Sequence, residues 1–228
     1  MKNLFLILSL TLSASIWAKE VVVYSARKEH LIQPLFLKFT QETGIKVKYS
    51  TGKDAVLLQK IKAEGRRTQA DLFMTVDAGN LWYAAEQGIL QSIESPTLEK
   101  NIPEAYQDPN NLWFGLSLRA RTIVYSTERV SESDLTTYEN LGHLEWNNRL
   151  LLRTSKKVYN QSLVSMMIAD HGEEVTRTIV ESWVENLAAP VYSNDTKLME
   201  GILAGQGDVG IVNSYYFGRL KSKNPQLK

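Results

Sequence analysis

Hydrophobic and polar positions along this chain switch repeatedly between a two-residue and a 3.6-residue period, which lays out alternating strands and helices. Residues 20–24 form a compact β-branched run that predicts a strand. After a turn at Ser25-Ala26-Arg27, Leu31, Leu35, Phe36 and Phe39 recur at helical spacing, and Gly44 is placed to end that helix as a C-cap. Residues 45–49 predict a second strand and Thr51-Gly52-Lys53-Asp54 a turn and cap. Val56, Leu57, Ile61 and Ala63 then ride a helix to Gly65. Residues 70–75 predict a third strand, after which Asp77 caps a helix through Trp82, Ala85 and Gln87 to Gly88. Strands alternating with helices in this way predict βαβ units and a parallel sheet.

The pattern loosens over residues 96–115 into a loop rich in Pro, Asn and Asp, then resumes with a long strand over 116–126. A second βα series follows: a strand at 149–154, a helix over about 160–171, another through Val184, a strand near 190–192 and a helix over 196–203. It closes on Gly207-Asp208-Val209-Gly210-Ile211-Val212-Asn213-Ser214-Tyr215-Tyr216-Phe217-Gly218-Arg219-Leu220. There Val209, Ile211 and Val212 read as a short buried strand, Asn213 and Ser214 as N-caps, and Tyr215 as the start of a helix. The expected class is α/β, with two lobes joined by the strand near 122–126. The expected division is a leader over 1–18, an N-terminal lobe over 19–121, and a hinge strand with a second lobe over 122–228. A complete second lobe and a return crossing of the hinge would need further strands beyond the last helix, so a C-terminally incomplete chain is expected.

Composition narrows the class. The chain has 228 residues, 43% hydrophobic and 22% charged, the balance of an ordinary globular protein. Its first three residues carry one positive charge, residues 4–16 are apolar but too few to span a bilayer, and Trp17-Ala18-Lys19 offers a cleavage point. Export to the periplasm is the expectation. Cleavage would remove Lys2 and leave basic and acidic residues equal in number, so nothing argues for nucleic acid or a membrane surface as partner. There is no cysteine, which excludes disulfides, thiolate metal sites and a lipidated N-terminal cysteine. His30, His143 and His171 are far apart without paired spacing, which argues against a zinc-type cluster.

The chemistry left to consider lies at strand-to-helix turns, where open α/β sheets place their ligands. Arg27, Lys28, Glu29 and His30 follow the first strand, Thr51-Gly52-Lys53 the second, and Asp77 the third. Residues 153–161, which include Tyr159, follow another, and Tyr215-Tyr216 follow the last. Adjacent tyrosines at a helix start diverge by only about 100°, so both phenols can converge on one object. A hard, highly charged cation wants oxygen ligands and displaces a phenol proton as it does a water proton; ferric ion fits best. The alternative is a Tyr-Tyr pair packed at a domain edge with its hydroxyls in water. Arg119 and Arg121, two apart on the expected strand, would share a face and could hold a carboxylate, carbonate or phosphate, or else form a salt-bridged edge. Gly115-Leu116-Ser117-Leu118-Arg119 begins like a nucleophile elbow, but Arg119 stands where a second glycine is needed, so a hydrolase using Ser117 is poorly supported. No Gly-rich phosphate loop of Walker or Rossmann spacing occurs.

Four segments together carry a family resemblance: Val23-Tyr24-Ser25-Ala26-Arg27-Lys28-Glu29-His30-Leu31, Gly115-Leu116-Ser117-Leu118-Arg119-Ala120-Arg121, Val158-Tyr159-Asn160-Gln161-Ser162-Leu163 and Gly210-Ile211-Val212-Asn213-Ser214-Tyr215-Tyr216. From about Lys19 onward the chain resembles the periplasmic ferric-ion-binding proteins of bacterial ABC iron importers, substrate-binding proteins of the bilobal type II fold. The resemblance implies that Tyr215 and Tyr216 ligate Fe(III), with Tyr159 as the third tyrosine of one subclass. Family members add a His or Tyr from the turn after the first strand. Here His30 is the nearest ligand type, and some members carry their histidine where Lys28 stands. Arg119 matches an arginine that holds a synergistic carbonate in some members, and Arg121 could share that role. The resemblance further implies a monomeric, non-catalytic protein that takes up ferric ion or a ferric chelate, closes its lobes on it, and is read by an inner-membrane ABC permease. The alternative on the same fold is an oxyanion, phosphonate or small organic solute held by Arg119, Arg121 and helix N-termini.

Overall fold

The computed structural model describes residues 19–223, so the leader expected over 1–18 lies outside the described residues. The chain divides after Val76 into two compact units. This division falls earlier than the 121/122 boundary suggested by the sequence, because residues 77–121 gather with the second unit.

In the first unit, β1 (Glu20–Ser25) is the central strand of a parallel sheet, flanked by β2 (Lys46–Thr51) and β3 (Leu72–Met74). The crossovers are α1 (Glu29–Thr43) and α2 (Asp54–Glu64), as the βαβ pattern predicts. Gly44 ends α1 with φ +71°, a conformation open to glycine at no steric cost, and its N–H reaches the Thr40 carbonyl at 2.9 Å. The core joins Val23 of β1 to Ile32 and Phe36 of α1. The sheet therefore selects an i, i+4 pair from a wider apolar surface. Leu31, Leu35 and Phe39, expected to face the core, are exposed instead.

In the second unit a three-stranded sheet has the order β4 (Arg121–Tyr125), β6 (Val209–Asn213), β5 (Leu150–Leu151). The central strand, β6, is buried along its whole length and its two faces sort by alternation. Val209 and Ile211 meet Leu163 and Met167 of α5 (Val158–His171) and Trp183 of α6 (Glu173–Glu185). Val212 turns the other way, toward Leu198, Met199 and Ile202 of α7 (Asp195–Leu203) and toward Tyr216, Phe217 and Leu220 of α8 (Ser214–Lys223). Burying each of these aliphatic side chains is worth roughly 1.5–3 kcal/mol. Gly210 is the close-approach point: a Cβ there would stand 2.6 Å from Leu198 Cδ2 and 2.7 Å from the Leu151 carbonyl oxygen. Asp208, at the entry to β6, clamps the connections by accepting from Arg129 Nε at 2.6 Å and Arg149 Nε at 2.7 Å.

Several expectations for this half need correction. The strand expected over 116–126 is limited to β4, because an alternating run becomes a strand only where a neighbour completes its ladder. The sheet is mixed rather than parallel: β4 runs antiparallel to β6, with Arg121 opposite Asn213, while β5 runs parallel to it. Residues 190–192 contribute a single bridge, between Arg153 and Tyr192, rather than a strand. The expected loop over 96–115 contains a short helix, α4 (Pro96–Asn101). Helix α3 (Ala78–Glu86) forms as expected, with the Asp77 carboxylate accepting from Gly79 N–H at 3.0 Å.

A tyrosine cluster at the sheet edge of the second unit

Because β5 and β6 are parallel, the helices that follow them begin at the same edge of the sheet. That edge, beyond the carboxyl ends of parallel strands, is where open α/β sheets hold ligands. Tyr159 is the second residue of α5, on one face; Tyr215 and Tyr216 are the second and third residues of α8, on the other. The cluster closes over the strand ends. The Tyr215 and Tyr216 rings stack with centroids 4.4 Å apart at 30°, and Tyr215 also stands near enough to Tyr159 to influence its phenol. All three tyrosines are half-buried. Burial, reinforced by the neighbouring Tyr215, raises the Tyr159 phenol well above its ordinary value and pushes Tyr216 up to about 12. The Tyr159 and Tyr216 phenols are therefore protonated at physiological pH.

Cationic groups surround it. The Arg119 guanidinium lies 4.4 Å from the Tyr159 ring centroid and Arg153 lies 5.3 Å from it; Arg219 lies 5.0 Å from the Tyr215 ring and 5.7 Å from that of Tyr216. Such contacts favour the ring, and more strongly its phenolate. Arg119 is itself ion-paired to Asp77, whose side chain is 4% exposed and also accepts from the Ser162 hydroxyl. Asp77 holds φ at +76°, a conformation that costs a non-glycine residue about 1–3 kcal/mol and is retained where the surroundings over-determine it. Here the surroundings are the α3 cap, the Arg119 pair and the Ser162 contact. Among the described residues no three His, Cys, Asp or Glu side chains gather as metal ligands, which leaves phenols as the convergent oxygen donors.

Of the residues singled out from sequence, Tyr159, Tyr215, Tyr216 and Arg119 are brought together. Arg121 has a different setting. It starts β4 whereas Arg119 precedes the strand, so the two do not share a strand face. Its guanidinium donates to Asp195 Oδ2, Asn213 Oδ1 and the Ile211 carbonyl, each at 3.2 Å, and to Asn160 Oδ1. With a side chain only 10% exposed, it serves the interior rather than offering free donors to a solute. His30 stands exposed in the first turn of α1, in the first unit, as do Lys28 just before that helix and Glu29 at its start. Ser117 is exposed between exposed Leu116 and Leu118. Sequence reasoning missed the roles of Arg153 and Asp195, both buried behind the cluster. The available signal was weak: Asn194-Asp195 at a helix start and an arginine closing a strand.

The chain matches the family profile of the bacterial extracellular solute-binding proteins over residues 25–226. It is 41% identical over 211 residues to iron uptake protein A1 of Synechocystis sp., covering 92% of this chain and 59% of that protein. It is 26% identical over 205 residues to the major ferric iron-binding protein of Neisseria meningitidis, covering 87% of this chain and 60% of that protein. Among solved structures it superposes on Trichodesmium FutA in complex with iron and citrate with a TM-score of 0.86 at 44% identity, covering 89% of this chain and 64% of that one. Ferric iron-binding protein A of Mannheimia haemolytica, in an open conformation, gives 0.83 at 37% identity, over 90% and 65% of the two chains. The chain thus spans about 60% of the length of the curated relatives it matches. Parallel βαβ units, a mixed second sheet and this extended likeness establish the type II periplasmic-binding-protein fold, and the chain belongs to the family of bacterial extracellular solute-binding proteins.

Proposed function

We propose that this protein captures ferric ion in the periplasm and delivers it to an inner-membrane ABC permease, with Tyr159, Tyr215 and Tyr216 as phenolate ligands. The observation that carries the reading is the meeting of three phenols from two helix starts on opposite faces of one sheet, with the Tyr215 and Tyr216 rings stacked and arginines around them. Three phenolates neutralise a trivalent cation, and hard oxygen donors favour Fe(III) over softer divalent ions. The ion supplies the driving force for deprotonation, and the arginines around the rings stabilise the anions that result. Arg119, ion-paired yet partly exposed beside Tyr159, is the residue placed to meet a carbonate or a chelate carboxylate. The iron-related names of the relatives above support this reading. The protein acts by binding, not by making or breaking a bond. An anionic or organic solute held by the Arg119/Arg121 pair is the weaker reading, because both terminal nitrogens of Arg121 are engaged inside.

The test is the double substitution Tyr215→Phe with Tyr216→Phe, assayed by competition for iron against citrate. Loss of affinity by at least about a hundredfold, with the circular dichroism of the wild type, is expected. A folded double variant that holds iron as the wild type does would contradict the reading.

A further inference from the structure

We infer that Asp195 is the positioning residue of the tyrosine cluster, acting through Arg153 and Arg121; this rests on the ferric reading above. Asp195, the first residue of α7, is fully buried and divides its carboxylate between two arginines from different elements. Oδ1 accepts from Arg153 Nη1 at 2.9 Å, and Oδ2 accepts from Arg121 Nη1 at 3.2 Å. Oδ2 also accepts the main-chain N–H of Asn213 at 3.0 Å. Asn213 ends β6 and leads directly into the helix start that carries Tyr215 and Tyr216. On the other side, Arg153 lies against the Tyr159 ring, and Arg121 donates to Asn160, the residue after Tyr159. Asn160 in turn donates to the Arg153 carbonyl at 2.8 Å. One carboxylate thus bonds directly to the residue that leads into α8 and reaches the start of α5 through one intervening arginine.

Stability does not explain this network. Nε of Arg121, Nε of Arg153 and Nδ2 of Asn213 are buried without a hydrogen-bond partner, and a partly satisfied buried ionic network is less stabilising than apolar packing of the same volume. Two guanidinium groups against one carboxylate also leave a positive excess directly behind the phenols, the sign that suits ligands which become anions on loading. What the network provides is fixed geometry and fixed charge at the ligand-bearing ends of α5 and α8.

The experiment loads wild type, Arg153→Met and Arg153→Lys with ferric citrate. It records the tyrosinate-to-iron absorption band and the affinity against citrate, with circular dichroism as the check on folding. Arg153→Met is expected to fold, shift the band and weaken binding by about 10–100-fold, while Arg153→Lys restores the band toward its wild-type position. A folded Arg153→Met with wild-type band and affinity would overturn the proposal while leaving the ferric reading intact. A colourless, folded wild type would instead remove the ferric reading and this proposal with it. Should Arg153→Met fail to fold, Asn160→Ala cuts the link from Arg121 to α5 at a half-buried position. It is expected to weaken ferric binding about tenfold, and wild-type binding by a folded Asn160→Ala would likewise overturn the proposal.

Discussion

Tyr216 and Asp77 hold the two most testable residue-scale balances in the second unit. Burial first, then the side chains of Tyr215 and Asp195, push the Tyr216 phenol up to about 12 from an ordinary value of 10.0. A phenol raised on folding contributes stability that is fully present below pH 10 and is lost as pH climbs toward 12, because the unfolded chain ionises first. Urea unfolding of the unloaded protein across that window should therefore show a falling midpoint, and Tyr216→Phe should flatten the fall. An equal fall in both proteins would mean that Tyr216 is not its source. At Asp77, asparagine keeps the cap on α3 and tolerates the positive φ but loses the charge opposite Arg119. Asp77→Asn should cost about 1.5–3 kcal/mol in urea unfolding, as expected for a partly buried charge-assisted hydrogen bond. A cost below about 0.5 kcal/mol would place the Arg119 pair with ordinary surface ion pairs.

At the scale of elements, the close passage of β6 past β5 and α7 explains why the central strand carries a glycine. Gly210→Ala would push a methyl group toward the Leu151 carbonyl, which cannot rotate away, and onto Leu198. It should destabilise the protein by about 1–3 kcal/mol in urea unfolding, and a neutral result would mean that the strands can separate at little cost. Elements with strong local signals were legible in the sequence. The β-branched run of β1, the Gly44 cap of α1, the Asp77 cap of α3 and the strand-to-helix switch at 213–215 all form as the residues imply. What was not legible depends on partners distant in sequence. The extent of β4 is set by β6, and the antiparallel pairing of these strands cannot be read from either alone. The choice of Ile32 and Phe36 over Leu31 and Leu35 is made by the sheet beneath α1. Helix α4 is a different case, since its signal was present: Ser95 caps the Leu98 amide with Pro96 at the first position, and Glu99 accepts back from the Ser95 N–H.

For the whole molecule, the same distinction separates the phenols from what stands behind them. Tyr159, Tyr215 and Tyr216 could be singled out because each opens a helix after a strand, and parallel strands bring such openings to one edge. Arg153 and Asp195 could not, since their pairing spans 42 residues and becomes visible only when α7 packs on the sheet. Arg121 was legible as an arginine near the site but not as an internal one. In the proposed function the raised phenols of Tyr159 and Tyr216 must each lose a proton when the ion binds, so ferric affinity should fall as pH falls. The most direct measurement is a visible absorption titration of the protein with ferric citrate, repeated at decreasing pH. Tyrosinate ligation predicts a visible band that saturates near one iron per protein, bleaches on acidification and is absent from the Tyr215→Phe, Tyr216→Phe variant. A folded protein that stays colourless through the titration, or a band that survives both substitutions, would contradict it.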